Sequence, residues 1–562
     1  MRYEFTITLT PDEERNETLL AVRITEALAK AGAGTAADGV AGNRAVKPTL
    51  LKRSIDARHG RVLVHLRYGV STGSAETENA SSSRARRTAD PAKRVVIVGS
   101  GPAGLFAALR LLEAGVTPVV VERGKPTDER KRDIALISRE GKVDPESNYC
   151  FGEGGAGTFS DGKLHTKSKK RGDEARVRAI FREFGADEAI LTDAHPHVGT
   201  DRLPGIVNAM RAEIERHGGE VRFGTRCVGV IADRAGSGET TARGVTVVSC
   251  DGTAGSAEGP ETEILGDAVI LATGHSARDA HEMIAKLEAL TGIPALEAKT
   301  FAMGVRVEHP RGIVDRIQYH GRAAEANLGA ATYKLASQEE GRGVYSFCMC
   351  PGGLVVPSAS EGDAVVVNGM SPSSRATKWS NAAIVVEIRP EDVPDSFRSD
   401  GHPALAGVRF QRWLEREAFR QAALALALAG ANGQAAPAQR LADFLARRPS
   451  ATLPESSYTA GLVSSRLDEW LPAHIETRLR AAFPAFDRLM RGFACDEALL
   501  IAPETRTSSP VRVLRDVTTL ECAGVRGLYP AGEGSGYSGG ISSSAMDGER
   551  VAEAILAARG WE

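Results

Sequence analysis

The 562-residue chain has few cysteines and almost no net charge. Its seven cysteines are odd in number and widely spread, which excludes the dense disulfide framework of a small secreted protein and favours a reducing, cytoplasmic setting. Because 70 basic residues are balanced by 72 acidic ones, the formal charge is −2 and no global field draws the molecule to a polyanion. Nucleic acid and an anionic membrane are therefore disfavoured as main partners.

The chain also lacks a long hydrophobic run. Its most apolar stretch, residues 422–431, has about ten apolar residues, whereas a membrane-spanning helix needs about twenty. The first 15 residues alternate like a strand and contain acidic residues, unlike a targeting peptide. The sequence therefore predicts a cytoplasmic protein without a membrane partner.

What is present is a globular composition, with 42% apolar and 25% charged residues, in a chain long enough for two or three domains. Residues 2–9 and 61–68 alternate as strands, and residues 16–31 have helical periodicity. We therefore expect a small α+β module of ferredoxin-like character over residues 1–70. Residues 71–92 contain almost no large apolar side chain and predict a flexible linker.

A βαβ unit follows the linker. Apolar runs at 94–98 and 116–121 predict parallel strands, and 104–114 predicts the helix between them. The first strand leads into a G-x-G-x-x-G sequence, in which Gly99 permits a tight turn, Gly101 lets backbone approach a pyrophosphate and Gly104 packs helix on strand. The helix start offers free N–H groups to phosphate, and Glu122 ends the second strand where a carboxylate can bind a ribose. The predicted dinucleotide contacts are Gly99, Gly101, Pro102, Ala103, Gly104, Glu122 and Arg123.

Two later strand ends decide which dinucleotide is expected. Residues 269–272 lead into Thr273 and Gly274, and residues 527–531 lead into Gly532 and Glu533. These segments resemble the second and third signatures of FAD-binding Rossmann proteins of the glutathione-reductase type. The resemblance implies FAD as cofactor and places Glu533 on its ribityl chain, where most members of that family have Asp.

The segment after Glu533 is rich in glycine and leads into a helix. Gly540 and Ile541 open this helix, and its positive N-terminal end would face the pyrimidine edge of the flavin. A bland alternative is a glycine-rich surface turn.

Residues 152–157 also read G-x-G-x-x-G, but no apolar strand precedes them and no helix follows, so they fail as a nucleotide site. In context, residues 148–164 resemble the glycine loop that crosses the isoalloxazine ring in many flavoproteins. Gly154, Gly155 and Thr158 are the flavin contacts that this resemblance implies. A purely structural turn is the alternative.

With these motifs the chain resembles a bacterial family of FAD-dependent dehydrogenases, also described as NAD(P)/FAD-dependent oxidoreductases. The strings at 51–58, 194–201, 347–353 and 504–510 carry the same resemblance. It implies an α/β fold with a discontinuous Rossmann-like FAD-binding domain, assembled from residues 93–280 and 504–562. An α+β substrate domain, residues 281–503, is inserted between the two parts.

The resemblance implies an FAD-dependent oxidoreductase that acts on a small organic substrate by hydride transfer through flavin N5. Because the sequence has one convincing dinucleotide fingerprint, NAD(P)H is expected at most as a transient reductant. Two alternatives stay open. One is a flavin-dependent RNA-modifying enzyme that uses the weakly basic N-terminal module and Arg84, Arg86 and Arg87, and the other is a non-catalytic FAD-binding sensor.

No catalytic acid–base constellation stands out, and the candidates are Cys348, Cys350, His275 and Arg506. Two residues of an extended strand span about 6.6 Å, at the upper edge of what a disulfide bridges, although a turn at Pro351 would shorten the span. A redox pair, a thiol near the flavin and two small buried residues are therefore all open. Arg306 and Arg506 are either carboxylate clamps or structural ion pairs.

His195 and His197 lie two residues apart, but no third ligand of suitable spacing accompanies them, so no metal site is predicted. They line a pocket or take part in ordinary loop packing.

A basic run beside the glycine loop, formed by Lys163, Lys167, Lys169, Lys170 and Arg171, is either a solvated face or a guide for anionic groups. If it steers the phosphates of NADPH, Lys169→Glu combined with Lys170→Glu raises the KM for the reductant, because attraction becomes repulsion. Steady-state kinetics measure this, and an unchanged KM rejects the guiding role.

Overall fold

The computed structural model describes residues 2–31, 48–58, 60–71, 85–166, 172–236, 238–250, 259–321, 328–426 and 433–562. The α-helices in these ranges are Pro11–Arg15, Glu17–Lys30, Pro102–Glu113, Thr127–Glu140, Glu174–Glu183, Leu203–Arg216, Arg278–Thr291, Arg311–Gln318, Asp395–Arg398, Ala406–Leu426, Leu441–Leu445, Leu467–Trp470, Ala473–Leu489 and Ile541–Arg559. Short 3-10 helices lie at Gly155–Gly157, Glu188–Leu191, Pro390–Asp392 and Pro403–Leu405.

A five-stranded parallel sheet forms the centre of one domain. Its strands, in spatial order, are Leu528–Pro530, Ala268–Leu271, Asp90–Val98, Val116–Val121 and Glu220–Arg222. Val95, Val96 and Ile97 are fully buried on alternate faces of the sheet, as expected for a parallel sheet covered on both sides. Because one edge strand comes from the end of the chain, the domain is discontinuous, which confirms the expected fold class.

The two faces of this sheet are covered by different elements. Helices Pro102–Glu113 and Ile541–Arg559 pack against each other on one face. On the other face lies an antiparallel sheet of Thr225–Arg234, Thr240–Ser249 and Thr262–Leu265. Gly224, at φ 57°, turns the chain from strand Glu220–Arg222 of the first sheet into strand Thr225–Arg234 of the second.

The inserted domain is built on a seven-stranded sheet, mostly antiparallel. Its strands, in spatial order, are Ala336–Glu339, Arg342–Cys350, Trp379–Ile388, Phe301–Pro310, Leu499–Glu504, Ala436–Arg440 and Leu462–Ser464. Leu479 and Phe483 of helix Ala473–Leu489 are fully buried in the apolar core of this domain. Two small ribbons complete the strands, Leu354–Pro357 with Val367–Met370 and Leu296–Ala298 with Val511–Val513.

The N-terminal module has three antiparallel strands among the described residues, in the order Arg2–Leu9, Leu63–Ser71 and Thr49–Asp56, with helix Glu17–Lys30 packed on them. Backbone hydrogen bonds join the module to the segment around residues 192–194. The N–H of Arg53 donates to the Thr192 carbonyl and the N–H of Ala194 donates to the Arg53 carbonyl, both at 3.0 Å. The module is therefore attached to the larger domain by strand-like hydrogen bonds.

The flexible linker predicted over 71–92 extends too far. Residues 72–84 lie outside the described residues, but 85–92 are bound to the parallel-sheet domain, and strand Asp90–Val98 begins within the segment. The N–H of Arg87 donates to the Leu112 carbonyl, and the side chain of Arg86 pairs with Glu183 at 2.6 Å. Backbone pairing and ion pairs replace the apolar contacts that this segment lacks, and they also engage Arg86, one of the residues considered for RNA.

No helix in the described part of the chain combines the length and the apolar character that crossing a membrane requires.

Glycine allows helices Ile541–Arg559 and Pro102–Glu113 to pack closely, and substitution of a helical glycine can test this packing. A Cβ on Gly548 would lie 2.0 Å from the Ala103 carbonyl oxygen, whereas a Cβ on Gly205 in helix Leu203–Arg216 would meet nothing within 4 Å. Gly548→Ala should therefore destabilise the domain by about 1–3 kcal/mol through overpacking. Thermal melting should show a midpoint lower by about 2–4 °C per kcal/mol.

The matched control is Gly205→Ala, which should leave the melting midpoint unchanged or raise it, because alanine is the better helix former by about 1 kcal/mol. Equal midpoints for the two variants would contradict the packing described here.

Candidate functional site

A cleft opens where strands of the parallel sheet end. The turns after Val98, Leu271 and Pro530 all line it, as expected for the carboxyl edge of such a sheet. A Cβ on Gly99, whose φ is 104°, would lie 2.5 Å from the Ala272 carbonyl oxygen, so only glycine lets the first two turns meet. The empty space within the cleft, with its open mouth included, is about 1610 Å³.

Glu122 organises the first turn. One carboxylate oxygen accepts hydrogen bonds from the N–H and the hydroxyl of Ser100, at 2.9 and 2.8 Å. The other accepts from the N–H groups of Gly124 and Gly152, at 3.0 and 2.9 Å. These four bonds use the roughly four acceptor sites of a carboxylate. Glu122 thus joins three segments, and a ribose has to share an oxygen that the protein already uses.

Arg130 also holds the glycine loop in place, and no motif in the sequence indicated this role. Its fully buried guanidinium donates to the carbonyls of Asn148, Tyr149, Gly152 and Glu153, at 2.8 to 3.2 Å. Burial lowers the pKa of Arg130 to about 10, and the charge of Glu122 opposes this shift. The group stays cationic at neutral pH and fixes the loop through its donors.

The glycine loop and the last helix form the next part of the wall. Gly155 lies against the first turn, and a Cβ on Gly155 would lie 3.1 Å from the Gly101 Cα. Helix Ile541–Arg559 begins at the cleft with Gly540 as its N-cap and with no side-chain cap, so its positive end is directed at the cleft.

The far end of the cleft is closed by the inserted domain. Phe347, Cys348 and Asn368 of that domain line it, together with Lys163. The side chain of Lys163 donates to the Met349 carbonyl. The cleft therefore runs from the parallel sheet to the domain interface without a break.

Two solved structures are similar to the chain at low identity. The flavoprotein/dehydrogenase of Cytophaga hutchinsonii is 11% identical over 84% of this chain and 79% of that one, with a TM-score of 0.35. A geranylgeranyl bacteriochlorophyll reductase-like protein of Thermoplasma acidophilum is 12% identical over 83% and 80%, with a TM-score of 0.33.

Two family models and one relative match the chain in sequence. Residues 300–507 match the family model described as FAD-dependent protein, C-terminal domain-like, and residues 92–139 match that described as FAD binding domain. An uncharacterized protein of Clostridium beijerinckii is 41% identical over 470 residues, which are 82% of this chain and 80% of that protein. The chain belongs to this family of FAD-dependent proteins. It is a flavoprotein with FAD as its cofactor, as the sequence predicted.

The cleft of this FAD-dependent protein has room and polar groups for the cofactor. A Cβ on Gly101 would meet nothing closer than 3.9 Å and one on Gly274 nothing within 4 Å, so backbone is open to a ligand there. Nε2 of His275 and Oδ1 of Asp161 are buried in residues of the cleft wall without a hydrogen-bond partner among the described residues. Bound FAD can satisfy such groups, so the residues present fit the cofactor.

Most residues predicted to contact FAD line the cleft. They are Gly99, Gly101, Pro102, Ala103, Glu122, Arg123, Gly155, Thr273, Gly274, Gly532, Glu533, Gly540 and Ile541. Three others support the wall from behind. Gly104 packs on Gly99, and Gly154 packs against Thr158, whose hydroxyl donates to the Glu153 carbonyl at 2.9 Å.

The four catalytic candidates are placed differently. His275, Cys348 and Arg506 line the cleft, and Cys350 is fully buried behind Cys348. Nδ1 of His275 lies 3.5 Å from a carboxylate oxygen of Glu533, the residue that the family resemblance assigns to the ribityl chain.

Arg506 and Arg306 are not free clamps, because protein carboxylates occupy their guanidinium groups. Arg506 binds both oxygens of Glu415, at 3.1 and 2.9 Å. Burial opposes ionisation of Glu415, but Arg278 and Arg506 together lower its pKa to about 2. Arg306 pairs with Glu504 at 2.9 Å. The structure favours the ion-pair alternative for both arginines.

Neither His195 nor His197 lines the cleft. His195 stacks edge-on with His165, and His197 lies 3.2 Å from the Ser373 carbonyl. Burial lowers the pKa of both His195 and His197. Among the described residues no group of three His, Cys, Asp or Glu side chains could hold a metal ion. Lys167, Lys169, Lys170 and Arg171 of the basic run lie outside the described residues.

Arg130→Lys tests whether the buried guanidinium shapes the FAD site. Lysine has three donors, so it leaves at least one of the four carbonyls unsatisfied, at a cost of about 1–3 kcal/mol. The Kd for FAD should rise about 5- to 150-fold, measured by fluorescence titration of the apoprotein.

Arg132→Lys, an exposed change on the same helix, is the control and should leave the Kd unchanged. If both variants bind FAD like the wild type, the loop does not depend on Arg130.

Proposed function

We propose that the protein transfers hydride between flavin N5 and a small organic substrate, with NAD(P)H as a transient reductant. The observation that supports this most is the continuity of the cleft. Its wall passes from the dinucleotide turn at Gly99 to Phe347 and Asn368 of the inserted domain. A substrate held by the inserted domain would therefore lie next to the cofactor.

We assign the ends of FAD from the placement of these elements. The pyrophosphate would lie at Gly101, Pro102 and Ala103, where helix Pro102–Glu113 begins and its N–H groups are free. The flavin would lie toward the inserted domain, with its pyrimidine edge at Gly540 and Ile541. The positive end of that 19-residue helix stabilises negative charge there.

FAD, when bound, supplies two-electron redox chemistry. The protein's part is to orient the reactants and exclude water. Glu504 and Arg506 line the cleft with buried side chains, and ion pairs to Arg306 and Glu415 hold them, so the wall beside the flavin is charged yet fixed. A wall of this kind needs little rearrangement when charge moves during reaction.

A transient nicotinamide is supported by the sheet topology. Among the described residues one five-stranded parallel sheet is present, and its carboxyl edge carries the FAD turns. A second dinucleotide domain would need a further sheet of this kind. NAD(P)H would instead have to reach the flavin through the open mouth of the cleft.

Anaerobic mixing with NADH and with NADPH tests the function. We expect one of them to bleach the visible absorbance of the bound flavin, and deuterium at the transferred C4 position to slow the bleaching because that C–H bond breaks. Free FAD at the same concentration is the control for uncatalysed reduction. A flavin that neither nucleotide reduces would contradict the proposed donor and favour an FAD-binding sensor.

A further inference from the structure

The end of strand Arg342–Cys350 carries two cysteines beside the flavin cleft. Phe347 pairs with Ala383 and Cys350 pairs with Asn381, so two residues of this strand stand opposite Ala382 alone. This is a β-bulge at Cys348 and Met349. The bulge, rather than a turn at Pro351, alters the spacing that made a disulfide doubtful from the sequence.

The backbone at the bulge is strained. Cys348 has a φ of 42°, in the left-handed region that residues other than glycine adopt at a cost. Arg306 Nη1 donates to the Cys348 carbonyl at 3.4 Å, and Lys163 donates to the Met349 carbonyl. Two cationic side chains, the buried Arg306 and the half-buried Lys163, thus hold the bulge in a conformation that the residues alone would not favour.

The two cysteines lie in different surroundings. Sγ of Cys350 lies 3.3 Å from the Cys348 carbonyl oxygen, so the Cys350 side chain is folded back toward Cys348. Interaction with the Cys350 thiol lowers the pKa of Cys348; burial opposes the shift, and the charges of Lys163 and Arg306 reinforce it. Interaction with Cys348 and burial raise the pKa of Cys350. Because Cys348 lines the cleft and Cys350 is buried behind it, Cys348 is the sulfur that a ligand in the cleft can reach.

Of the other cysteines, Cys150 also lines the cleft, where Nη1 of Arg506 donates to its sulfur at 3.2 Å, but no second cysteine stands within two residues of it along the chain. All seven are in the described part of the chain and none forms a disulfide. Burial raises the pKa of Cys227, Cys250, Cys495 and Cys522, which disfavours their thiolates. A cysteine in the cleft wall with a second cysteine folded back toward it is the arrangement of a disulfide-exchanging pair.

We propose that Cys348 and Cys350 are a dithiol–disulfide couple that reduces a low-molecular-weight disulfide in the cleft. This deepens the proposed function, because the flavin would return electrons to the couple. The Cys348 thiolate attacks one sulfur of the substrate, the substrate S–S bond breaks, and one thiolate leaves. The first departing thiolate takes the proton of the Cys350 thiol, and Cys350 then attacks Sγ of Cys348, which expels the second thiolate. The substrate gains two electrons, and the protein keeps one new disulfide.

The test uses reduced holoprotein with 2-hydroxyethyl disulfide as the probe, followed by alkylation and mass spectrometry. The wild type should lose two alkylatable thiols, at 348 and 350, and two hydrogen atoms in mass, with no probe attached. Cys350→Ser should instead trap one probe half on Cys348, because nothing resolves the mixed disulfide. Cys348→Ser should lose no thiol at 350.

Cys495→Ser, which removes a half-buried cysteine elsewhere, should behave like the wild type. An unchanged thiol count in the wild type, or probe trapped at 350 rather than at 348, would overturn the proposal. Because the thiols are counted after a single exchange with the probe, the result does not depend on whether the flavin is reduced by NAD(P)H.

A second measurement separates this proposal from the proposed function. NADPH is added anaerobically to oxidised wild type, and both flavin absorbance and thiols are followed. Bleaching with recovery of two thiols supports both proposals. Bleaching with thiols that stay oxidised rejects the couple alone, and a flavin that never bleaches while the thiols still exchange with the probe rejects the nicotinamide-driven function alone.

Discussion

Two opposite charges buried beneath the cleft, Glu122 and Arg130, hold the segments on which the rest of the site depends. Glu122 accepts from backbone of the first turn and of the glycine loop, and Arg130 donates to four carbonyls of the segment 148–153. Each charge is stabilised mainly by peptide dipoles and feels the other at longer range. Removing either side chain would leave buried backbone groups without a hydrogen-bond partner, at a cost of about 1–3 kcal/mol for each such group.

Buried charges also hold the interface between the two domains. Arg278 of the parallel-sheet domain and Arg506 both pair with Glu415 of helix Ala406–Leu426. These pairs link segments that are far apart in sequence and leave little freedom to the wall that faces the flavin. The inserted domain is therefore fixed on the cofactor domain rather than loosely tethered.

The sequence predicts the cofactor domain well because its information is local. Gly99, Gly101 and Gly104 stand between an apolar strand and a helix, and the fold requires glycine at each turn. Arg130 could not be recognised in this way. It lies in a charged stretch typical of an exposed helix, and its partners are carbonyls some twenty residues later. No spacing rule identifies backbone carbonyls as ligands.

Contacts between residues far apart in sequence also explain the other features that the sequence could not predict. Glu415 occupies Arg506 across 91 positions of sequence, so the ion pair cannot be told from a substrate clamp without the fold. The bulge at Cys348 depends on pairing with a strand more than thirty residues away. By contrast, nearly all residues predicted to bind FAD line one cleft, since their motifs describe turns that the parallel sheet brings to one edge.

The central claim is that this one cleft binds FAD, and the most direct measurement is the FAD content of the purified protein. The protein is denatured, and the flavin released into the supernatant is identified and quantified against protein. The account predicts a yellow protein that releases about one FAD per chain, as a single dinucleotide site requires. A colourless protein whose apo form also takes up no added FAD would contradict it.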